Sequence, residues 1–359
     1  MPPTPLLSLR AGPDALGLLR DRGLRAEDVD VLPGASGGAK WLAIGGLDRW
    51  LFGEFLAAPR TRPLHCIGSS IGSWRMACLA QRDPVAALAR GHHAYIHEQR
   101  YSARPDVREI TAVLGRCLDL LLGPTGVDEI LAHPWARLHV ITAEARGLAA
   151  SARRTLLTVG LGLAAAANVV SRRTLAWQLR RVIFNSCGDE TPFAHLADLP
   201  TVHRALTRDN LRAALMASGS IPLLVEGVRI PGGTGEPGGV HWDGGVVDYH
   251  LDLDFGAGDG LVLYPHFYAH VVPGWFDRGL RWRMARGANF RRALVVAPSD
   301  AFVATLPGGK IPDRRDFYGM PEVERMRRWQ ATLDASARLG DELAELVATG
   351  RIADRVRPW

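Results

Sequence analysis

Short apolar runs alternate with longer segments of helical periodicity along most of this 359-residue chain. The runs are rich in Val, Ile and Leu and are followed by turn-forming residues, which is typical of buried strands. They lie at residues 29–32, 64–67, 138–142, 182–185, 261–264 and 293–297. Strands separated by helices predict a mainly parallel sheet of the α/β class, and such a sheet binds its ligand at the carboxyl ends of its strands.

Helical segments directly follow two of these strands. The first has its apolar residues at helical spacing and therefore one buried face. These residues are Trp41, Leu42, Ile44, Leu47, Trp50, Leu51 and Phe55. The second covers residues 73–81. Near the end of the chain, residues 322–347 predict one or two helices, and the pattern leaves open whether they complete the core, cover a pocket or form an oligomer interface.

Residues 156–170 (LLTVGLGLAAAANVV) are largely apolar and have arginines on both sides, at positions 153, 154, 172 and 173. As a helix this segment spans roughly 22 Å, less than the ~30 Å of a bilayer's hydrocarbon core, so we do not expect a transmembrane helix. One interpretation is a helix buried in the core. The other is a cap that lines an acyl-binding pocket or enters a membrane interface, with its arginines at the level of the head groups.

The strand at 64–67 is followed by GSSIG, residues 68–72. Between a strand and a helix, the pattern G-x-S-x-G forms a sharp turn that exposes the serine hydroxyl at the top of a sheet. Gly68 and Gly72 permit this turn because they carry no side chain. The sequence therefore predicts that Ser70 is a nucleophile, against the alternative of an ordinary glycine-rich turn.

A second glycine-rich turn, PGASGGAK at residues 33–40, follows the strand at 29–32. At a helix N-terminus, such a turn presents free backbone N–H groups and the positive end of the helix dipole. It can hold a phosphate, or stabilise the oxyanion that forms on an attacked carbonyl. Lys40 is followed by Trp41, so the turn is not a Walker A loop, and it does not match G-x-G-x-x-G. We interpret it as an oxyanion hole rather than a plain tight turn.

A third segment, HWDGGVVD at residues 241–248, contains an Asp followed by two glycines. Ahead of it, a helix-like stretch ends in ASGSIP, residues 217–222. With these blocks the chain resembles the patatin-like phospholipase family, over roughly residues 28–265. The resemblance rests on GGAK at 37–40, GSSIG, ASGSIP and DGG at 243–245. Each block alone is common, whereas all of them in this order are specific.

The resemblance implies a patatin-like, three-layer α/β/α fold and an acyl hydrolase with a Ser–Asp dyad, without a catalytic histidine. Matched position by position, Ser70 corresponds to the nucleophile and Asp243 to the base. The amides of Gly37 and Gly38 correspond to the oxyanion hole, and the amide of Ile71 adds to it.

Further matched positions support this site. Lys40 corresponds to the basic position that follows the family's glycines. Gly244 and Gly245 would let the backbone approach the serine turn closely. The chain departs from the family pattern at Ala35, Ser36 and Trp41, where the family often has glycine.

The two matched side chains are also chemically consistent with each other. A serine hydroxyl is a poor nucleophile near neutral pH and needs a base within hydrogen-bond reach. An exposed Asp, with a pKa of about 3.9, is a weak base, but burial raises its proton affinity. The expected cycle is attack of Ser70 on an ester carbonyl, an oxyanion held by the glycine amides, an acyl-Ser70 intermediate and its hydrolysis.

A Ser-His-Asp triad is the alternative to the dyad. In α/β-hydrolases the histidine follows the Asp in the chain, and His250, His266 and His270 follow Asp243. None of these lies in a recognisable histidine loop, and a chain with 12 histidines gives several chances of a coincidental fit. We therefore favour the dyad.

Cysteine and histidine spacing predicts neither a metal site nor a cofactor. Neither C-x-x-C nor H-E-x-x-H occurs. The cysteines, Cys66, Cys78, Cys117 and Cys187, are scattered and lie mostly in apolar stretches, which indicates reduced thiols in a reducing compartment. The N-terminal residues lack an uninterrupted apolar stretch, so we expect a cytoplasmic protein without a signal peptide, with peripheral contact at the inner membrane surface as an option.

The composition is that of a globular enzyme, with 47% hydrophobic and 22% charged residues. The net charge is +6, but the basic residues are dispersed, so we expect no nucleic-acid partner; arginine can still contact anionic lipid head groups. We predict an N-terminal extension at 1–27, a catalytic domain at 28–270 and a mainly helical extension at 271–359 packed on that domain. The glycine-rich stretch at 231–239 is predicted to be a mobile loop near the site.

Together these patterns predict a serine acyl hydrolase that cleaves lipid carboxylic esters, of the phospholipase A or lysophospholipase type. Its partner is then a lipid or ester substrate. Two alternatives stay open: a non-lipid carboxylesterase with the same dyad, and a catalytically silent homologue that binds lipid. The sequence does not determine the head group, the acyl position or the oligomeric state.

Overall fold

The computed structural model describes residues 4–232, 238–256 and 258–359. In this part of the chain, eleven strands form one sheet in which most neighbours run parallel. The strands are β1 (Leu7–Ala11), β2 (Val29–Gly34), β3 (Leu64–Ser69), β4 (Ala136–Ala145), β5 (Leu179–Asn185), β6 (Thr201–Ala205), β7 (Val228–Ile230), β8 (Gly239–Asp243), β9 (Leu261–Pro265), β10 (Ala293–Pro298) and β11 (Arg357–Pro358). Their order is β11-β1-β10-β9-β2-β3-β4-β5-β6, with β8 paired to β4 and β7 to β8.

Helices flank this sheet, which confirms the prediction of a three-layer α/β/α fold with a mainly parallel sheet. The helices are α1 (Pro13–Arg22), α2 (Gly45–Trp50), α3 (Ile71–Leu79), α4 (Pro84–His93), α5 (Val107–Leu122), α6 (Gly126–Leu131), α7 (Arg154–Val170), α8 (Leu211–Ser218), α9 (Asp300–Thr305), α10 (Asp316–Gly319), α11 (Glu322–Ala335), α12 (Ala337–Ala348) and α13 (Ile352–Arg355). All the predicted strands are present, as β2, β3, β4, β5, β9 and β10.

The helix predicted from Trp41 to Phe55 is three shorter helical segments. Gly38–Ile44 is a 3-10 helix, α2 follows, and Leu51–Phe55 is a π-helical turn. The change of geometry occurs where the backbone lies against α12, since a Cβ on Gly46 would be 2.4 Å from the backbone of Ala337. Close packing of α2 on α12 therefore overrides the helical periodicity of the sequence.

Both ends of the described chain contribute strands to the sheet. β1 pairs antiparallel with β10, β11 pairs with β1, and β10 pairs with β9. The predicted division at 27/28 and 270/271 stays a prediction, and the sheet contains strands from all three segments. The predicted mobile loop at 231–239 falls largely on 233–237, which lie outside the described residues.

The segment at 322–347 forms two helices, α11 and α12. α12 packs on α2 and buries Leu339, Leu343 and Leu346. α11 buries Trp329, whose indole N–H donates to Oδ2 of Asp316 at 2.9 Å. These helices complete the core beside β2, and the first turn of α11 also reaches the cavity described below.

The apolar segment at 156–170 forms α7, which lies at the surface. Its buried residues recur at helical spacing and are Leu157, Gly160, Ala164 and Asn168. Its exposed large apolar residues are Leu156, Val159, Leu163, Val169 and Val170. The interpretation as a helix buried in the core is therefore wrong. No helix of the described chain is both long and apolar enough to cross a bilayer.

Candidate active site

Ser70 lies in the sharp turn between β3 and α3. Its backbone has φ 54° and ψ −133°, a conformation that residues with a side chain rarely adopt. Such a conformation costs roughly 1–3 kcal/mol and persists only where the surrounding structure enforces it. Strain of this kind is common at functional sites, and here it projects the hydroxyl into a cavity.

Close backbone contacts enforce this turn. A Cβ on Gly72 would be 1.9 Å from the carbonyl oxygen of Gly34, at the end of β2. A Cβ on Gly68 would be 2.5 Å from the backbone nitrogen of Ser73. Because real Cβ atoms do not approach backbone so closely, these contacts explain why glycine occupies both positions of the GSSIG pattern.

The register of β4 brings Asp243 next to Ser70. β3 runs along the first part of β4 and ends with Ser69 opposite Ile141. β8 runs antiparallel along the following residues of β4, and its last residue, Asp243, lies opposite Thr142. β3 and β8 thus meet end to end along one strand, which makes residues 173 positions apart in the chain adjacent in space.

The Ser70 hydroxyl donates a hydrogen bond to Oδ2 of Asp243 at 2.7 Å. The other carboxylate oxygen, Oδ1, accepts the N–H of Gly245 at 2.7 Å. Asp243 is 6% exposed. This burial raises its pKa from 3.8 to about 7, although the hydrogen bonds from Ser70 and Gly245 act in the opposite direction. The carboxylate is consequently a much stronger base than an exposed one.

Residues 217–222 form hydrogen bonds with the backbone of both Ser70 and Asp243. Ser218 Oγ accepts the N–H of Ser70 at 2.9 Å and donates to the carbonyl of Ile141 at 2.7 Å. The carbonyl of Ser220 accepts the N–H of Asp243 at 2.9 Å. Sequence reasoning noted the ASGSIP block but assigned Ser218 no role, although the block itself was the signal.

The backbone amides of Gly37, Gly38 and Ile71 line the cavity that contains Ser70. None of the three donates a hydrogen bond to any group of the described residues. Gly38 has φ +55°, and a Cβ on Gly37 would be 2.6 Å from the ring of Phe267. Glycine is therefore required at both positions, and three free N–H donors belong to residues that line the cavity with Ser70.

The glycine loop is joined to the serine turn by a hydrogen-bonded chain. Ser36 donates its backbone N–H to the carbonyl of Tyr249 at 2.8 Å. The Ser69 hydroxyl donates to the carbonyl of Asp248, so the Ser36 hydroxyl is the donor in its 2.7 Å contact with Ser69. Ser36, one of the departures from the family pattern, thereby fixes the loop to the end of β3.

Trp41 and Lys40 lie on opposite sides of this loop. Trp41 is fully buried and packs on His92 and Tyr95, with ring centroids 4.5 and 5.6 Å away. Its bulk is therefore accommodated in the core rather than in the cavity. Lys40 lines the cavity and donates to the carbonyl of Gly37 at 3.4 Å. Burial and neighbouring cationic side chains lower its pKa to about 8.

The cavity has a volume of about 730 Å³ and two kinds of wall. Next to the serine the wall is largely apolar, with Ile71, Trp74, Leu114, Met216 and Leu224. The C-terminal segment supplies a polar wall with Trp275, Arg278, Arg314 and Arg325. Sequence reasoning missed this second wall because its residues are scattered and form no motif.

α7 is tied to the polar wall through Asp277. Asn168, on the buried face of α7, donates to Oδ1 of Asp277 at 2.7 Å. Arg172, just beyond α7, donates to Oδ2 of Asp277 at 2.7 Å and to the carbonyl of Val247 at 2.8 Å. The residue after Asp277 is Arg278, so the surface helix and the cavity wall are directly connected.

No histidine of the described chain hydrogen-bonds to Ser70 or Asp243. His250 and His266 are buried and pack against each other, with ring centroids 4.5 Å apart. Burial lowers the pKa of both, so both rings are neutral near pH 7. Their Nδ1 atoms accept the backbone N–H groups of Val272 and Tyr268. In the described chain, neither imidazole is therefore placed to take the proton of Ser70.

Within the described residues, one group of side chains has metal-ligand geometry. His65 Nδ1 is 3.1 Å from His139 Nε2, and the ligand atoms of His65, His139 and Cys187 all lie within 4.8 Å of one another. His65 lies in β3, His139 in β4 and Cys187 just after β5, so cysteine and histidine spacing could not indicate the group. His65 lies near the start of β3, whereas Ser70 follows its end, so the group is separate from the Ser70 cavity.

Comparisons of the sequence and the structure with known proteins do not assign this chain to a family. No family model matches the chain, and no curated protein matches it significantly. Among solved structures, VipD from Legionella pneumophila is similar at 12% identity and a TM-score of 0.35, over 94% of this chain and 70% of that chain. A likeness of this size does not establish a shared fold or family.

Proposed function

We propose that this protein is a patatin-like serine acyl hydrolase that cleaves carboxylic esters of lipids, with Ser70 as nucleophile and Asp243 as base. The observation that carries the proposal is the 2.7 Å hydrogen bond from the Ser70 hydroxyl to a buried carboxylate. The strained backbone of Ser70 and the three free amides beside it support the same conclusion. Nucleophile, base and oxyanion donors are the parts that acyl transfer requires.

In acylation, Oγ of Ser70 attacks the ester carbonyl carbon while its proton moves to Oδ2 of Asp243. The carbonyl π electrons become an oxyanion, which the amides of Gly37, Gly38 and Ile71 stabilise. The tetrahedral species collapses, the bond to the alcohol oxygen breaks, and that oxygen takes the proton from Asp243. In deacylation, Asp243 accepts a proton from water as the water attacks the acyl-Ser70 ester, and then returns it to Oγ.

The cavity supports a lipid substrate rather than a small ester. Its volume of about 730 Å³ is in the upper part of the usual range for ligand pockets, which is about 300–1,000 Å³. Part of its wall is apolar and can accept the acyl chain attached to Ser70, and the part formed by the C-terminal segment carries cationic side chains. An ester with a long apolar acyl part and a polar head matches this division.

The exposed face of α7 supports contact with a lipid surface. Its large apolar residues continue toward Trp282 and Met284, because Arg283 donates to the carbonyls of Asn168 and Val169 at the end of α7. Arginines precede and follow the helix, as they do where cationic side chains lie at the level of anionic head groups. We propose that this face attaches the protein peripherally to anionic membranes.

Replacing Leu156 and Leu163 with Asp is expected to lower binding to anionic vesicles about tenfold or more, because both side chains would enter the apolar boundary of the bilayer. Flotation with vesicles of phosphatidylglycerol and phosphatidylcholine measures the bound fraction. The control is Leu120→Asp, at an exposed leucine on α5. Equal flotation of the double variant and the wild type, with both folded, would contradict the proposed membrane face.

An active-site fluorophosphonate tests the proposed chemistry directly. The wild type is expected to form a covalent adduct with a 1:1 ratio of probe to protein, whereas Ser70→Ala is expected to form none, as measured by intact mass. A wild type that is not labelled would favour a silent lipid-binding protein, and full labelling of Ser70→Ala would overturn the role of Ser70.

A series of p-nitrophenyl esters with increasing acyl-chain length separates a lipid hydrolase from an esterase for small esters. The turnover rate of a small-ester esterase would fall as the acyl chain becomes longer.

A further inference from the structure

The C-terminal segment places two arginines on one aromatic side chain at the cavity wall. The guanidinium of Arg278 is 4.4 Å from the ring centroid of Trp275, and that of Arg314 is 5.4 Å from the same centroid. Arg278 is also 5.7 Å from the ring of Tyr249. All four side chains line the cavity that contains Ser70. Aromatic contacts thus hold two like charges near one side chain at the cavity wall.

Neither arginine forms an ion pair with a carboxylate in the described part of the chain. Apart from Asp243, the acids that line the cavity are Asp313 and Glu322. Asp313 lies 3.6 Å from the ammonium of Lys310 and accepts the backbone N–H of Arg315. Glu322 is at the N-terminus of α11, where a negative charge is favourable without a cationic partner. The arginines are therefore free to bind an anion from outside the protein.

Lys40 adds a third positive charge to this group. Its ammonium has three hydrogens, but its one hydrogen bond in the described chain is the 3.4 Å contact with the carbonyl of Gly37. Arg278 and Arg314 lie close enough to lower the pKa of Lys40 by repulsion, whereas Asp313 acts in the opposite direction. Lys40, Arg278 and Arg314 are called the rim cations below; Lys40 belongs to the glycine loop and the two arginines belong to the C-terminal segment that faces the same cavity.

We propose that the rim cations bind a phosphate in the head group of the lipid ester, and that the enzyme prefers net anionic head groups to choline head groups. This inference rests on the proposed hydrolase function. Arginine and lysine bind phosphate through charge-assisted hydrogen bonds, and the planar guanidinium group gives such binding a defined direction. The position of the rim cations beside the oxyanion loop would place the head group on one side of Ser70 and the acyl chain against the apolar wall.

The aromatic residues of the rim argue against choline. A quaternary ammonium is usually held on the faces of Trp and Tyr rings. Here Arg278 and Arg314 already lie over Trp275, and Arg278 also lies near Tyr249. A choline group at this place would lose the ring contact and would meet three like charges.

Head-group selectivity of the full-length enzyme tests the proposal. Phosphatidylglycerol and phosphatidylcholine with identical acyl chains are presented in neutral detergent micelles, so that attachment to a charged bilayer does not contribute. We expect the wild type to have a kcat/KM about tenfold or more higher for phosphatidylglycerol, and Arg278→Gln/Arg314→Gln to lose most of that ratio. Arg338→Gln/Arg351→Gln is the matched control, because both arginines are exposed and outside the cavity, and its ratio should equal that of the wild type.

A binding measurement keeps the proposal testable without catalysis. Glycerol 3-phosphate is titrated by calorimetry into Ser70→Ala, with glycerol as the uncharged comparison. We expect glycerol 3-phosphate to bind and glycerol not to bind, and we expect the affinity for glycerol 3-phosphate to fall about tenfold or more when Arg278→Gln/Arg314→Gln is added.

Absence of ester hydrolysis and of phosphonate labelling, together with this binding, would reject the proposed hydrolase while leaving the anion site. An unchanged selectivity ratio in the arginine variant, a wild-type preference for choline lipid, or binding of inorganic phosphate without any lipid preference would overturn the head-group proposal.

Discussion

Asp243→Asn is expected to lower ester turnover about 10³-fold or more, because the amide cannot accept the proton of Ser70 as the hydroxyl attacks. The substitution keeps the shape of the side chain, and its carbonyl oxygen can still accept the hydrogen bond that Ser70 now donates over 2.7 Å. Turnover of p-nitrophenyl esters and the rate of phosphonate labelling measure the effect. His270→Ala, at an exposed histidine outside the cavity, is the control and should retain most of the activity.

The pH dependence of this pair has a definite sign. The pKa of Asp243 is about 7 in the folded protein and close to 3.8 when the chain is unfolded. Wild-type kcat/KM should therefore rise with pH and reach half of its maximum near pH 7. Between about pH 4 and pH 7 this carboxyl is protonated in the folded state and ionised in the unfolded state. The free energy of unfolding therefore falls as the pH rises through this range, by up to roughly 4 kcal/mol above pH 7.

Asp243→Asn should remove this penalty. The variant is expected to unfold at higher denaturant concentration than the wild type at pH 8, with the difference disappearing near pH 4. Full activity loss in His270→Ala would replace the dyad by a triad, and retained turnover in Asp243→Asn would reject Asp243 as the base. A wild-type pH profile that is flat between pH 5 and pH 9 would show that Asp243 does not act as the base.

Gly72→Ala is expected to destabilise the protein by about 3 kcal/mol or more. The added methyl group would lie 1.9 Å from the carbonyl oxygen of Gly34, and neither backbone can shift without separating β2 from α3. Equilibrium unfolding in urea, followed by far-UV circular dichroism, measures the change.

Gly17→Ala is the matched control for this substitution. Gly17 lies within α1, and a Cβ there meets no other atom within 4 Å. Because alanine favours the helix, this variant should be as stable as the wild type or more stable by about 0.5–1 kcal/mol. If Gly72→Ala unfolded at the same urea concentration as Gly17→Ala, the result would disprove the close packing of the serine turn on the backbone of β2.

The central strands could be predicted because a strand that is buried on both faces consists mostly of apolar residues, which form a recognisable run in the sequence. β9 and β10 are of this kind, whereas β2 and β3 are each interrupted by one polar residue, Asp30 and His65. The strands that were missed have other patterns: β1 alternates between buried and exposed residues, and β6 is only half-buried. β8 contains His241 and begins with Gly239, so no apolar run marks it. Its position depends on pairing with β4, which is a long-range property.

The candidate site also has parts that local sequence predicts and parts that depend on long-range packing. The turn at Ser70 and the glycine loop are local structures, and their short patterns contain the steric requirements that define them. The meeting of Ser70 with Asp243 depends on which residues of β4 each strand faces, and the sequence does not contain that register in any local form. The family resemblance supplied the pairing that local reasoning lacked. Of the rim cations, Lys40 belongs to the glycine loop, whereas Arg278 and Arg314 lie outside every motif, so only the packing of the C-terminal segment brings these two arginines to the cavity of Ser70.

The bonds from Asn168 and Arg172 to Asp277 have a consequence for how a lipid reaches the serine. They link α7 to the residue that precedes Arg278, so if α7 binds a bilayer as proposed, its orientation there also orients the cavity wall. A lipid would then leave its leaflet sideways, past Trp275, without first being extracted into water. Docking and substrate capture would in that case be one step, and soluble monomeric lipid would be a poor substrate.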